Sequence, residues 1–196
     1  MRGKVVSTGL IFVLSMAVAI LVLGVPGQAA KGQKTLAISS ATATVTLTDA
    51  EVYYLTHMRE EEKLARDVYT TLNDTYGVTV FSQIIPSEQR HFDAVGTLIA
   101  RYGVTDPAAD ATVGVFAVDE FIELYPSLVN QGYLSLGEAM CVGVEIEEID
   151  IADLTAAMAV TTRPDILSVY NNLLSASLNH LASFQSHLEV MGYTCQ

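Results

Sequence analysis

Basic residues are scarce in this chain: ten lysines and arginines stand against 22 aspartates and glutamates in 196 residues, a formal net charge of −12. That deficit argues against nucleic acid or an anionic membrane as a partner and favours cations. Cysteine is nearly absent, with only Cys141 and Cys195. Two cysteines provide no zinc-type spacing and no rubredoxin-like cysteine pairs to feed electrons to a redox centre. In an oxidising compartment they allow one disulfide tying the C-terminus to an earlier helix; the alternative is a small buried residue at 141 and a tail thiol at 195. Long apolar runs are limited to one, Leu10 to Val25, and no long-period repeat is visible.

That single run follows a short basic region, Arg2 and Lys4, and precedes the small-residue stretch Gly27-Gln28-Ala29-Ala30. Residues 1–30 therefore read as a secretory signal peptide and the protein as exported to the periplasm, the cell surface or the medium. Left uncut, the same run is about long enough to anchor the chain in a thin bilayer; once it is cut, no strong membrane binding is expected. Residues 31–48, rich in Ala, Ser, Thr and Gly, suit a flexible linker. Residues 49–196 remain for one domain, and the sequence leaves the oligomeric state open.

Helical signals dominate that domain. Thr48-Asp49 caps a run from Val52 to Tyr76 that stops at Gly77. A second helix runs from about Phe81 or Ser87 to Tyr102, with Pro86 in its first turn or kinking it. The connection from Val104 to Leu134 is long enough to carry a short helix, Asp119 to Val129, and to return the next helix parallel to the second. A third long helix spans Ser135 to about Thr161, and a fourth Pro164 to about Met191 before Gly192. The expected fold is all-α, a four-helix bundle with a crossover between its second and third long helices.

Polar residues interrupt each apolar stripe. Glu62 breaks the first, Leu55, Met58, Ala65, Tyr69, Leu72, while its neighbours Glu60 and Glu61 are expected on the solvent side. Glu88 and His91 break the second, Phe81, Ile84, Val95, Leu98. Glu147 breaks the third, with Glu148 in reserve about 100° round the helix. His180 breaks the fourth, with Ser177 beside it; His57 and His187 read as structural or as partners that support a ligand from behind. Glu62 lies about sixteen residues before the first turn and Glu88 about ten after it, so they share a layer to within about two turns. Glu147 and His180 lie at matching depth about the later turn.

Each of these residues has an ordinary alternative. Glu88 can be a first-turn acid stabilised by the helix dipole, Glu62 can pair with Arg59 or Arg66, Glu147 can belong to an acidic surface, and His180 can be a hydrogen-bonded core histidine. Taken together at one level, they cost too much to bury without a cation. Glu88-x-x-His91 with a glutamate from a neighbouring helix is the half-site of di-iron and di-manganese carboxylate bundles. One or two iron or manganese ions are the expected cofactors, with redox chemistry on oxygen or peroxide as the possible activity. A metal-sequestering or delivery protein and a structural bundle with a vestigial site are the competing readings.

The segments Met58 to Tyr69, Ser87 to His91, Arg101 to Gly103, Ile146 to Leu154 and Asn179-His180 resemble a ferritin-like family catalogued as domain of unknown function 2202. More distantly, Glu62 with Glu88-x-x-His91 looks like the first half of the rubrerythrin and bacterioferritin site. The resemblance implies Glu62 as a terminal ligand, Glu88 as a bridge, His91 on the first metal, and Glu147 or Glu148 with His180 on the second. The departure is Ser177, where that pattern requires a second bridging glutamate.

Overall fold

The structure, a computed structural model, describes residues 46–195. The expected signal peptide and all but the end of the expected linker fall outside the described residues. Five helices make up the fold, α1 (Asp49–Tyr76), α2 (Thr79–Tyr102), α3 (Asp119–Gly132), α4 (Leu136–Ala159) and α5 (Pro164–Met191), with no strand among the described residues. No helix among them is long and apolar enough to cross a membrane.

Local chemistry sets the helix ends. The Thr48 hydroxyl accepts from the Glu51 N–H while the Glu51 carboxylate accepts from the Thr48 N–H at 2.8 Å, closing a capping box. Gly77, Gly103 and Gly192 end α1, α2 and α5 with φ of 62°, 67° and 62°, a conformation that favours glycine. Pro164 opens α5 in its first turn. α2 starts earlier than the Ser87 alternative and carries Pro86 inside it, so the Ser82 carbonyl lacks its usual i+4 donor there.

Contacts at the two ends of each pair fix the directions. Glu51 meets Arg163 while Tyr69 meets Gly143, so α1 and α4 run antiparallel. Tyr102 meets Asp165 while Phe81 meets Phe184, so α2 and α5 do too. α1 and α2, joined only by Gly77 and Val78, also oppose each other. α2 and α4 therefore point the same way, and the segment carrying α3 makes the return.

The interior is stratified. One apolar cluster gathers Leu64, Val68, Leu72, Phe81, Val142 and Phe184, among others; a second gathers Leu55, Met58, Val95, Leu154, Ile166 and Leu173. Each such side chain stabilises the fold by about 1.5–3 kcal/mol when fully buried. Between the clusters lie the levels of residues 59–62, 88–91, 147–150 and 177–180, where most buried positions are polar. Cys141 and Cys195 are joined by a disulfide that closes a span of 54 residues and ties the tail to α4.

Close approach at α4 yields a stability test. A Cβ at Gly143 would meet Cδ1 and Cε1 of Phe184 at 2.5 Å, and that ring is fully buried against Tyr69 and Phe81. Gly143→Ala should cost about 1–3 kcal/mol through overpacking, read as a lower thermal midpoint; an unchanged or higher midpoint would show that the ring yields freely.

Candidate metal centre

α1 carries its charged run where water does not reach. Every residue from Met58 to Tyr69 is buried, because α2, α3 and α4 pack around the helix and residues 103–118 lie across what would be its open face. Arg59 holds Asp106 at 2.9 Å. Glu60, expected in solvent, accepts from the backbone N–H groups of Ala117 and Val118 at 2.7 Å each, at the start of α3. Lys63 donates to Asp67 at 2.6 Å and to the Thr112 carbonyl at 2.7 Å, with its ammonium 4.3 Å from the centre of the Phe116 ring. Arg66 pairs with Asp67 at 2.7 Å. Neither arginine is therefore the partner of Glu62.

Glu62 faces α2 instead. His91 Nδ1 lies 3.2 Å from Glu62 Oε2 and 2.9 Å from Glu88 Oε2. The other oxygen of Glu88, Oε1, lies 2.7 Å from His180 Nδ1 on α5, which in turn stands 3.6 Å from Glu147 Oε1 on α4. Glu88 thus belongs to two triads, Glu62–Glu88–His91 and Glu88–Glu147–His180, and within each triad the ligand atoms lie within 4.8 Å of one another. The two imidazole rings stack with centroids 5.8 Å apart.

Neighbouring groups orient these side chains. The Ser87 hydroxyl lies 3.4 Å from His91 Nε2, which leaves Nδ1 turned to the carboxylates. Tyr69, expected mainly as packing, donates its hydroxyl to Glu147 at 2.8 Å. Such partners fix ligand geometry and tune donor strength.

Two sequence expectations need correction at this layer. Glu148 is exposed and takes no part in the cluster, because the helix turns it about 100° away from Glu147. Asp150 was missed: it is buried and accepts a short hydrogen bond from the Ser177 hydroxyl. The signal was available, since Glu147-x-x-Asp150 repeats the i, i+3 spacing of Glu88-x-x-His91. A carboxylate from α4 thus reaches the place where the fourth long helix offers only a serine. His187 is exposed and remote from the cluster.

Electrostatics follow from packing so many acids together. Burial and the nearby charges of Asp150 and Glu88 push the Glu62 carboxyl well up. Burial also raises Glu147 to about 7, with the nearby His180 imidazole and the Tyr69 hydroxyl opposing and the charge of Glu88 adding. Asp150 reaches about 8 through burial and the charge of Glu147. Burial works the same way on Glu88, but the close imidazoles of His180 and His91 outweigh it and hold this carboxyl down to about 2. Burial disfavours the His180 imidazolium, yet Glu147 and Glu88 raise it to about 9.

Four buried atoms in the layer have no hydrogen-bond partner: Glu62 Oε1, Glu88 Oε1, Asp150 Oδ1 and His180 Nδ1. Of these, Glu88 Oε1 and His180 Nδ1 stand 2.7 Å apart but are not aligned as donor and acceptor. An unsatisfied buried polar group costs about 1–3 kcal/mol, more if charged. Carboxylate oxygens and imidazole nitrogens converging in this way form a donor set that fits iron or manganese.

Comparison with known proteins agrees in sequence and shape. Residues 51–196 match the family model described as uncharacterized protein domain DUF2202. The uncharacterized protein MJ0754 of Methanocaldococcus jannaschii is 43% identical over 152 residues, covering 76% of this chain and 82% of that protein. The crystal structure of hypothetical protein MJ0754 superposes with a TM-score of 0.74 at 42% identity, covering 76% of this chain and 86% of the other. A DUF305 fragment from Deinococcus radiodurans, 14% identical, shares the fold alone, with a TM-score of 0.54 over 74% of this chain and 98% of the fragment.

Proposed function

The chain belongs to the DUF2202 family, and from that premise we propose that it is a ferritin-like metal-binding protein whose centre holds one or two iron or manganese ions. The observation that carries this reading is Glu88, whose two oxygens each face a different imidazole, with Glu62 beyond one and Glu147 beyond the other. Four long helices with the second and third pointing the same way support the ferritin-like arrangement. The apolar N-terminal run and the Cys141–Cys195 disulfide support export.

Ions of this kind supply redox chemistry with oxygen or peroxide when bound. The protein's own residues do the rest. Glu62, Glu88, Glu147 and Asp150 offer negative charge from three helices, and the rings of His91 and His180 are held to fixed orientations by Ser87, Glu88 and Glu147. Low exposure of every one of these side chains, at most 12%, excludes bulk water and suits reactants no larger than oxygen or peroxide.

Metal analysis of protein purified without chelator tests the reading. One to two equivalents of iron or manganese are expected at the centre; protein devoid of both after offering each in excess would leave a structural bundle as the better description. Peroxide-dependent oxidation of bound Fe(II) then identifies a redox centre, whereas a sequestering or delivery protein binds the ion without that turnover.

A further inference from the structure

Glu61 is the most poorly satisfied side chain in the described structure. It is 2% exposed, and neither of its carboxylate oxygens has a hydrogen-bond partner. His57, one turn earlier on α1, faces it, with Nε2 3.8 Å from Glu61 Oε2 and 3.2 Å from Asp153 Oδ2 on α4. Ligand atoms from His57, Glu61 and Asp153 all lie within 4.8 Å of one another. The His57 ring is fixed between aromatic neighbours, stacked on Tyr53 at 5.5 Å and tilted against Phe121 at 5.0 Å.

The basic side chains close by in sequence are committed elsewhere: Arg59 to Asp106, Lys63 to Asp67 and Arg66 to Asp67. Among the described residues no lysine or arginine pairs with Glu61 or Asp153. This trio shares no residue with the central cluster, although the charge of Asp150 reaches Glu61 as well as Glu62; Asp153 lies one turn beyond Asp150. It also opens outward, with the Asp153 side chain 35% exposed.

We propose that His57, Glu61 and Asp153 form a second divalent-cation site, taking a first-row transition ion through one imidazole nitrogen and two carboxylates. A mixed nitrogen and oxygen set favours Mn(II), Fe(II) or Zn(II) over calcium or magnesium, which prefer oxygen alone. Three protein ligands leave positions for water on the Asp153 side. The site stands on its own residues and does not depend on the central one being loaded.

Equilibrium dialysis of the full chain against Mn(II), followed by metal analysis, tests it in a background that disables the centre. Glu88→Ala protein should still bind one equivalent of Mn(II), and adding either His57→Ala or the partly exposed Asp153→Asn should remove it. Glu88→Ala protein that is folded by circular dichroism but binds no Mn(II), or that keeps its ion after both further substitutions, overturns the proposal. Failure of the central reading looks different: wild-type protein would then bind only the ion that His57→Ala removes.

Discussion

Glu88→Ala, made in protein that also carries His57→Ala so that the outer trio holds nothing, should reduce bound iron or manganese from one or two equivalents to less than about a tenth of one. Loss of even an outer partner of a metal ligand commonly costs about 10–100-fold in affinity, and Glu88 is the one residue common to both triads. Its removal takes an oxygen from each and leaves His91 and His180 facing only Glu62 and Glu147. Glu88→Gln keeps the volume and one acceptor while discarding the charge, so it should fail in the same way while preserving the helical signal. Metal content by mass spectrometry after gel filtration decides the matter, and wild-type levels in either variant would remove the central cluster from consideration.

Metal-free protein should lose stability as pH rises from about 5 to 8.5. Asp150 titrates near 3.8 when unfolded and at about 8 when folded, and Glu147 moves from 4.5 to about 7. Between those values the folded state binds more protons than the unfolded one, so the unfolding free energy falls with rising pH. His180, raised from 6.5 to about 9, acts in the same direction: its contribution is complete below 6.5 and disappears as pH climbs through 9. Glu88 works oppositely and lower down, its contribution being lost as pH falls from 4.5 through about 2. The combined loss over the upper window amounts to several kcal/mol, a drop of about 10 °C in thermal midpoint for a domain of this size.

A bound cation reverses that trend, because it takes the place of the protons. At a hundredfold excess over its dissociation constant, one ion adds about 2.7 kcal/mol. Midpoints measured across pH with and without Mn(II) should therefore converge near pH 5 and separate by pH 8. A flat profile without metal would mean that the acids are neutralised by something within the chain.

Much of the architecture was legible because it rests on local rules. Stripes at three- and four-residue spacing, the Thr48 cap, and the glycines at 77, 103 and 192 locate the long helices, and the length of the connection from Val104 to Leu134 gives the direction of α4. The residues of the central layer were legible for the same reason: a glutamate or histidine replacing an apolar side chain at its proper period faces inward. Asp150 escaped notice because its partner, Ser177, is distant in sequence and reads as a gap. Glu60 and Glu61 escaped for a different reason. Periodicity reports which side of a helix is apolar, and cannot tell that Ala117 and Val118 close over Glu60 or that Glu61 lies buried beside His57 and Asp153.

The way residues 103–118 cover α1 has a consequence for recognising relatives. Of the charged positions in the run from Arg59 to Asp67, only Glu62 belongs to the central cluster; Arg59, Glu60, Lys63, Arg66 and Asp67 grip Asp106, Ala111, Thr112, Gly114, Ala117 and Val118. That charged run is thus mostly a fastening for the overpass between α2 and α3. A distant homologue that keeps that stretch but lacks Glu88 or His180 is expected to share the topology and to hold no ion at the centre, which metal analysis of such a relative checks.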